Sequence, residues 1–365
     1  MRKFTLMVAL VVVTTALVPA TAVAQSSGDS CSFPVERTDA TGTTVTVSEE
    51  PNSVVTLNPS AAQTMWEIGA QEKVVGVTKH ASNLAGAASK TNISGNGQTI
   101  NNEEVVGLQP DLVLAPNTVQ NDTVNTLRSA GLTIYRFHEA ENIEDIKDKT
   151  RLIGQFVGAC EGASETVAWM ESRLATVDET VADAERPDVI YSFFGFTSGA
   201  NTFIDTILER AGGNNVAVDA GVDGYKQINE EILVQQDPDW IVLNSDDDQV
   251  PATEGYNATT AVQNDQIVVI NTNHLNRPAP RVVYAVTKLA ETFHPEAYAA
   301  ANATATETPV TTDTDPTVTA TETATETVAE SPTATETSGE SGPGFGLGAT
   351  LLALLTAAGL ARRRR

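Results

Sequence analysis

Glu103 and Glu231 occupy matching places in the chain. Each stands seven residues ahead of a Pro-Asp pair, Pro110-Asp111 and Pro238-Asp239. An asparagine, Asn101 or Asn229, stands nine residues ahead of each proline, and an apolar run follows each aspartate. Two carboxylates repeated in this way could ion-pair with cations on a two-fold partner, where such pairs set register and steer encounter. The plainer reading of each is a solvated glutamate at a helix start, favoured there by the helix dipole.

A second group of polar and aromatic residues falls where strands are expected to end. In the first half these are Asn58, Ser60, Lys79, His80, Asn117 and His138; in the second, Phe193, Phe194, Phe196, Tyr225, Asn244 and Arg277. Ligands of open α/β sheets lie at the carboxyl ends of strands, which makes these the candidate ligand-binding residues. Amides and hydroxyls offer neutral hydrogen bonds. The cluster Phe193-Phe194-Gly195-Phe196 offers faces suited to a flat macrocycle, with core packing as the alternative for at least one ring. Arg277 could neutralise an anionic ligand or cap a cleft, or be an ordinary surface arginine. The four histidines, His80, His138, His274 and His294, show no metal-ligand spacing, so no metal site is expected. Nucleophile elbows, zinc-hydrolase motifs and the nucleotide-binding Gly-x-x-x-x-Gly-Lys are absent. The expected chemistry is therefore recognition of a small molecule, without turnover and without a cofactor of the protein's own.

The elements that must position these residues alternate. Val54 to Leu57 reads as a buried strand, Asn58-Pro59-Ser60 opens a helix through Ile68, Gly69-Ala70 caps it, and Val74 to Val77 is the next strand. Leu112 to Ala115 and Thr133 to Phe137 complete a first lobe. Val189-Ile190-Tyr191, a helix around Phe203 to Arg210, and the runs Val216 to Val218, Trp240 to Leu243 and Ile267 to Ile270 repeat the rhythm. Each Pro-Asp ends a helix and precedes a buried parallel strand. The fold class is α/β, with two Rossmann-like lobes of parallel sheet. Ile143, Ile146, Ile153, Phe156 and Val157 predict a long helical crossover, about residues 143–171, with Gly158 and Gly162 marking a break or bend.

Outside this unit the chain changes character. Met1 to Ala24 has the charged start, apolar stretch and Ala22-Val23-Ala24 site of a secretory signal, an uncleaved anchor being the alternative. Residues 301–342 are almost entirely Thr, Glu, Ala, Ser, Asp, Pro and Val, a composition that cannot bury a core and suits an extended stalk. Sequons stand at Asn92, Asn121, Asn257 and Asn302, each short enough to occur without modification. Cys31 and Cys160 are the only cysteines; an exported chain can pair them, and two separate thiols are the alternative. The net charge of −25 opposes nucleic-acid binding. With only eight lysines and 5% aromatics, it suits a protein of concentrated salt, or simply an acidic secreted one.

Pro343-Gly344-Phe345, the apolar run 346–361 and the basic end Arg362 to Arg365 resemble the PGF-CTERM sorting signal of archaeal surface proteins. That resemblance implies cleavage by an archaeosortase and attachment to a membrane lipid, leaving the protein at the outer face of the cell membrane. The region from about 38 to 298 resembles the class III solute-binding proteins of ABC importers. The resemblance rests on Asp39 to Gly42 with Val45-Thr46-Val47, Val54 to Val77, the two Glu–Pro-Asp segments, Asn276 to Arg281, and Leu289 to Glu296. It implies a solute-binding domain over 31–300, with lobes at about 38–142 and 186–300. It further implies that Glu103 and Glu231 dock onto arginines of a permease dimer whose ATPase subunits are other chains. Members carry cobalamin, ferric siderophores or haem. A neutral, aromatic, cation-poor residue set favours cobalamin here, and with its tail the chain is most similar to a haloarchaeal cobalamin-binding member. A stalked sensor or adhesin would use the same lobes without a transporter.

Overall fold

The computed structural model describes residues 31–97 and 99–307; the expected signal segment, the tail and the stalk beyond residue 307 lie outside them. An antiparallel ribbon of β1 (Val35–Thr38) and β2 (Thr44–Val47) leads into the first lobe. That lobe is a five-stranded parallel sheet of β3 (Val54–Thr56), β4 (Val74–Val77), β5 (Thr91–Asn92), β6 (Leu112–Ala115) and β7 (Ile134–Arg136), in the order β5-β4-β3-β6-β7. Val54, Leu112 and Leu114 face one apolar core while Val55, Val113 and Ala115 face another. A strand buried on both faces must be apolar throughout, which is why these runs do not alternate with polar residues.

The second lobe repeats the plan with β8 (Asp188–Tyr191), β10 (Asn214–Asn215), β12 (Trp240–Asn244) and β13 (Ile267–Ile270), ordered β10-β8-β12-β13 and all parallel. A separate antiparallel ribbon pairs β9 (Phe196–Ser198), which follows β8 in the chain, with β11 (Tyr225–Gln227), which follows β10. The expected strand at Val216 to Val218 is a short helix, Val216–Asp219, capped by Asn215; the strand is the adjacent Asn214-Asn215. The Asn215 side chain accepting from Ala217 N turns the chain away from the sheet.

The repeated segments fold alike. Asn101 caps α2 (Asn102–Gly107), and Asn229 caps the corresponding helix Glu230–Gln236. Gln109 and Asp237 then take left-handed backbone at φ 46° and 43°, directly before the prolines. Each Pro-Asp aspartate holds the neighbouring strand. Asp111 accepts from the Asn52 and Ser53 amides ahead of β3, and Asp239 accepts from the Asp188 amide at the start of β8.

Residues 143–171, expected as one connecting helix, belong to two. The helix Ile143–Val157 ends at Gly158, whose φ of +74° is left-handed, and a second helix runs Cys160–Val181. The two lie antiparallel, since Lys147 and Arg151 of the first both reach Glu171 of the second. Each crosses both lobes. Ile153, Phe156, Val157 and Ala163 enter the first core, whereas Ile143, Ile146, Met170, Leu174 and Val177 enter the second. Gly162 bends nothing: it lies inside the second helix, where a Cβ would stand 2.2 Å from the Ile68 carbonyl oxygen. The folded unit also runs past residue 300, because helix Pro295–Glu307 continues through Ala301, which is buried.

Cys31 and Cys160 form a disulfide that closes a 129-residue separation. Constraint of so long a loop in the unfolded chain stabilises by roughly 4–5 kcal/mol in the chain-entropy account. Paired Cys31→Ser and Cys160→Ser substitutions are expected to lower the melting temperature by several degrees, and reductant should do the same to the native protein. Unchanged melting in both arms would show that the N-terminal ribbon is held by packing alone.

Asp39 anchors the same ribbon. Its buried carboxylate pairs with Arg128 and accepts from Thr41 N, Thr41 Oγ1, Thr43 N and Arg136 N. Desolvation alone would raise its pKa, but the hydrogen bonds from Thr41, Arg136 and Thr43 outweigh it and hold the pKa below the usual carboxylate value. A depressed folded pKa contributes stability that is complete above the unfolded value near 3.9 and is lost as pH falls through the folded one. Asp39→Ala should cost about 3–5 kcal/mol by leaving Arg128 and the turn amides unpaired, and should flatten the acid limb of a stability-versus-pH curve. An unaltered acid limb would contradict this.

Candidate functional site

In both sheets the strand order reverses direction, between β3 and β6 in the first lobe and between β8 and β12 in the second. Ligands of doubly wound sheets bind at such switch points. A cleft of ≈ 570 Å³ lies there. Most of the wall comes from strands' carboxyl ends or the segments after them: Asn58 and Ser60 after β3, His80 after β4, Asn117 after β6, His138 after β7, Phe193 after β8, Asp246 after β12 and Asn273 after β13, with Lys149 added from the helix Ile143–Val157. Asn276, Arg277 and Pro278 close the second-lobe side.

Seven of the twelve candidate ligand residues line this cleft: Asn58, Ser60, His80, Asn117, His138, Phe193 and Arg277. Asn58 also does local work, capping α1 (Pro59–Glu67) by accepting from Ala61 N and donating to Ser60 Oγ. Asn244 does not line it. That residue is fully buried, and its amide is committed to the Tyr191 hydroxyl at 2.7 Å and to Thr272. Lys79 points elsewhere, to the Gly97 carbonyl.

The aromatic cluster divides. Phe193 lines the cleft and meets Phe194 at 4.5 Å between centroids. Phe194-Gly195 is a two-residue hairpin turn, with φ of 47° and 78° and reciprocal backbone bonds between Phe193 and Phe196. Positive φ at both central positions defines a type I′ turn, and it carries Phe194 outward. Phe194, Phe196 and Tyr225 are 62%, 42% and 57% exposed on the ribbon beside the cleft wall. Phe196 and Tyr225 are diagonal neighbours on one face, since Phe196 pairs with Gln227 and Ser198 with Tyr225.

Arg277 spans the lobes. Its guanidinium donates to the His80 carbonyl at 2.7 Å and to Asn83 Oδ1 at 2.9 Å, and desolvation together with Arg281 draws its pKa down to about 10. Behind the cleft, buried Gln63 exchanges hydrogen bonds with Asn273 O and Arg281 N, and Arg281 pairs with Glu67 at 2.7 Å. Thr166 of the long helix donates to the Glu67 carbonyl. Gln63, Glu67 and Arg281 carry no local sequence signal as inter-lobe contacts, because the partners lie more than 200 residues apart in sequence. Lys149, also overlooked, had a local signal: it sits within the apolar stripe, between Ile146 and Ile153.

Glu103 and Glu231 are both exposed in the first turn of their helices, and neither lines the cleft. A second cavity of ≈ 330 Å³ beside the disulfide is lined by the N-terminal ribbon and the helix pair, with no residue of either parallel sheet.

Two parallel-sheet lobes bridged by helices, with one cleft at their switch points, describe a solute-binding protein. The periplasmic binding protein family model matches residues 54–273, and the chain belongs to that family. The PGF-CTERM motif matches residues 342–364. A cobalamin-binding protein of Halobacterium salinarum is 45% identical over 277 residues, covering 72% of this chain and 75% of the relative. Among solved structures, the periplasmic haem-binding protein RhuT of Roseiflexus in apo form aligns with a TM-score of 0.61 at 23% identity, covering 67% of this chain and 99% of that one. The periplasmic vitamin B12-binding protein BtuF of Vibrio cholerae aligns with a TM-score of 0.58 at 22% identity, over 69% and 98%. Both structures share the fold.

Proposed function

We propose that the protein captures cobalamin outside the cell and delivers it to an ABC permease dimer driven by separate ATPase subunits. The observation that carries this is the lining of the cleft. Asn58, Ser60, Asn117, Thr118, Asn273 and Asn276 supply neutral amides and hydroxyls, and Asp246 is the one carboxylate among the described lining residues. Cobalamin presents many amides and a flat ring, which this set suits better than it suits carboxylate-rich or catecholate ligands. The 45% identity to a cobalamin-binding protein supports the same reading. Phe193 would meet the ring from within the cleft, and Phe194, Phe196 and Tyr225 would cover its edge.

Glu103 and Glu231 would dock onto the permease, one from each lobe. The PGF-CTERM motif supports removal of the tail by an archaeosortase and lipid anchoring at the outer membrane face, with residues beyond 307 as a spacer. Fluorescence titration of purified protein with cobalamin, haem and ferric siderophores tests the ligand. Saturable one-to-one quenching by cobalamin at the lowest concentration is expected; tighter binding of haem or a siderophore would overturn it.

A further inference from the structure

We propose that the Lys149 ammonium is an anion seat in the cleft, holding the phosphodiester that links a complete corrinoid to its nucleotide arm. The chain would thereby prefer cobalamin to corrinoids lacking that arm. This deepens, and rests on, the cobalamin reading.

Lys149 sits on the helix that crosses both lobes, within its apolar stripe, so its side chain leaves the inter-lobe core and reaches the cleft wall. It lines both the main cleft and a smaller cavity of ≈ 200 Å³ bounded by His138 and Leu152. One ammonium hydrogen goes to the Pro278 carbonyl. An ammonium carries three donors, so two are left for a ligand.

Among the described residues Lys149 makes no ion pair, like Lys79, Lys90 and Lys226, whereas Lys73 and Lys288 each pair with one carboxylate and Lys147 with two. In a chain of net charge −25, the described cleft lining carries Lys149 and Arg277 against the single carboxylate of Asp246. Desolvation pulls its pKa down to about 8 against the attraction of Asp145, so its positive charge is under-compensated in the unliganded protein. An anion beside it would relieve that penalty.

Arg277 plays a different part. Each of its terminal nitrogens donates once, to Asn83 and to the His80 carbonyl, so it braces the lobes and adds positive potential to the same wall. Lys149, the cation that does not brace the lobes, matches a single negative charge that stays ionised near neutral pH. A phosphodiester has that charge; the two propionates of haem and the several acids of a catecholate siderophore exceed it.

The test titrates the purified full chain with cyanocobalamin and with dicyanocobinamide, which lacks the phosphodiester and base. The native protein is compared with Lys149→Met and Lys149→Arg, melting curves confirming that each is folded. Loss of a charge-assisted hydrogen bond should weaken cobalamin binding by Lys149→Met about tenfold or more, leave cobinamide within about twofold, and be largely rescued in Lys149→Arg. Equal weakening for both ligands, or none for either, overturns the seat while leaving the cobalamin reading intact. Native protein that binds neither corrinoid overturns both.

Discussion

Glu103→Ala combined with Glu231→Ala should reduce cobalamin uptake by cells to background while leaving the affinity of the purified protein within about twofold of native. The expectation follows from separation of surfaces. Both glutamates stand exposed on short helices, and neither lines the cleft. Close charge pairs across protein interfaces couple by about 1.5 kcal/mol or more, so losing two should weaken docking roughly a hundredfold. Concentrated salt screens the long-range part of this attraction, the Debye length falling to about 3 Å at 1 M. Shape must therefore share the work, and Val234, 45% exposed one turn beyond Glu231, offers apolar surface beside the charge. Measured uptake and equilibrium titration decide the matter together. Weakened ligand affinity in the double variant would mean that the glutamates serve the cleft or the fold.

The second large effect concerns the frame between the lobes. Binding proteins that close by hinge rotation do so through a few flexible connections. Here two helices cross both lobes, each with apolar residues in both cores, and Gln63, Glu67 and Arg281 fasten the lobes directly. X-ray scattering curves of the native protein with and without saturating cobalamin should nearly superimpose. Gln63→Ala with Arg281→Ala removes the fasteners and leaves Glu67 unpaired in a partly buried place, at a cost of about 1–3 kcal/mol. Cobalamin affinity should fall at least about tenfold, because the cleft width is no longer set in advance, and scattering should now change on binding. A clear fall in radius of gyration on ligand binding by the native protein would sink the rigid-frame account; unchanged affinity in the variant would assign rigidity to the helices alone.

The repeat was legible because every member of it is local: an asparagine cap, a helix stop at proline and an apolar run lie within about a dozen residues. For the same reason the sheet strands, and with them the strand-end residues Asn58, His80, Asn117 and His138, could be placed by spacing alone. Asn244 satisfies the strand-end rule yet turns inward, since the Tyr191 hydroxyl offers its amide a buried acceptor. Val216 to Val218 carried strand-like side chains, but a capping asparagine before them started a helix. The crossover read as one helix because its apolar periodicity resumes after Gly158, and periodicity does not report a reversal of direction. The inter-lobe fasteners left no trace in the sequence: a hydrogen bond between Gln63 and Arg281 is a tertiary fact with no local pattern.

The central claim is that cobalamin lies in the cleft between the lobes. A crystal structure of the protein grown with cobalamin tests it most directly. The account predicts a corrin ring between the two sheets, with its amides on Asn58, Asn117 and Asn273 and a face against Phe193. Cobalamin bound instead in the cavity beside the Cys31–Cys160 disulfide, or on the outer surface with the cleft empty, would contradict it.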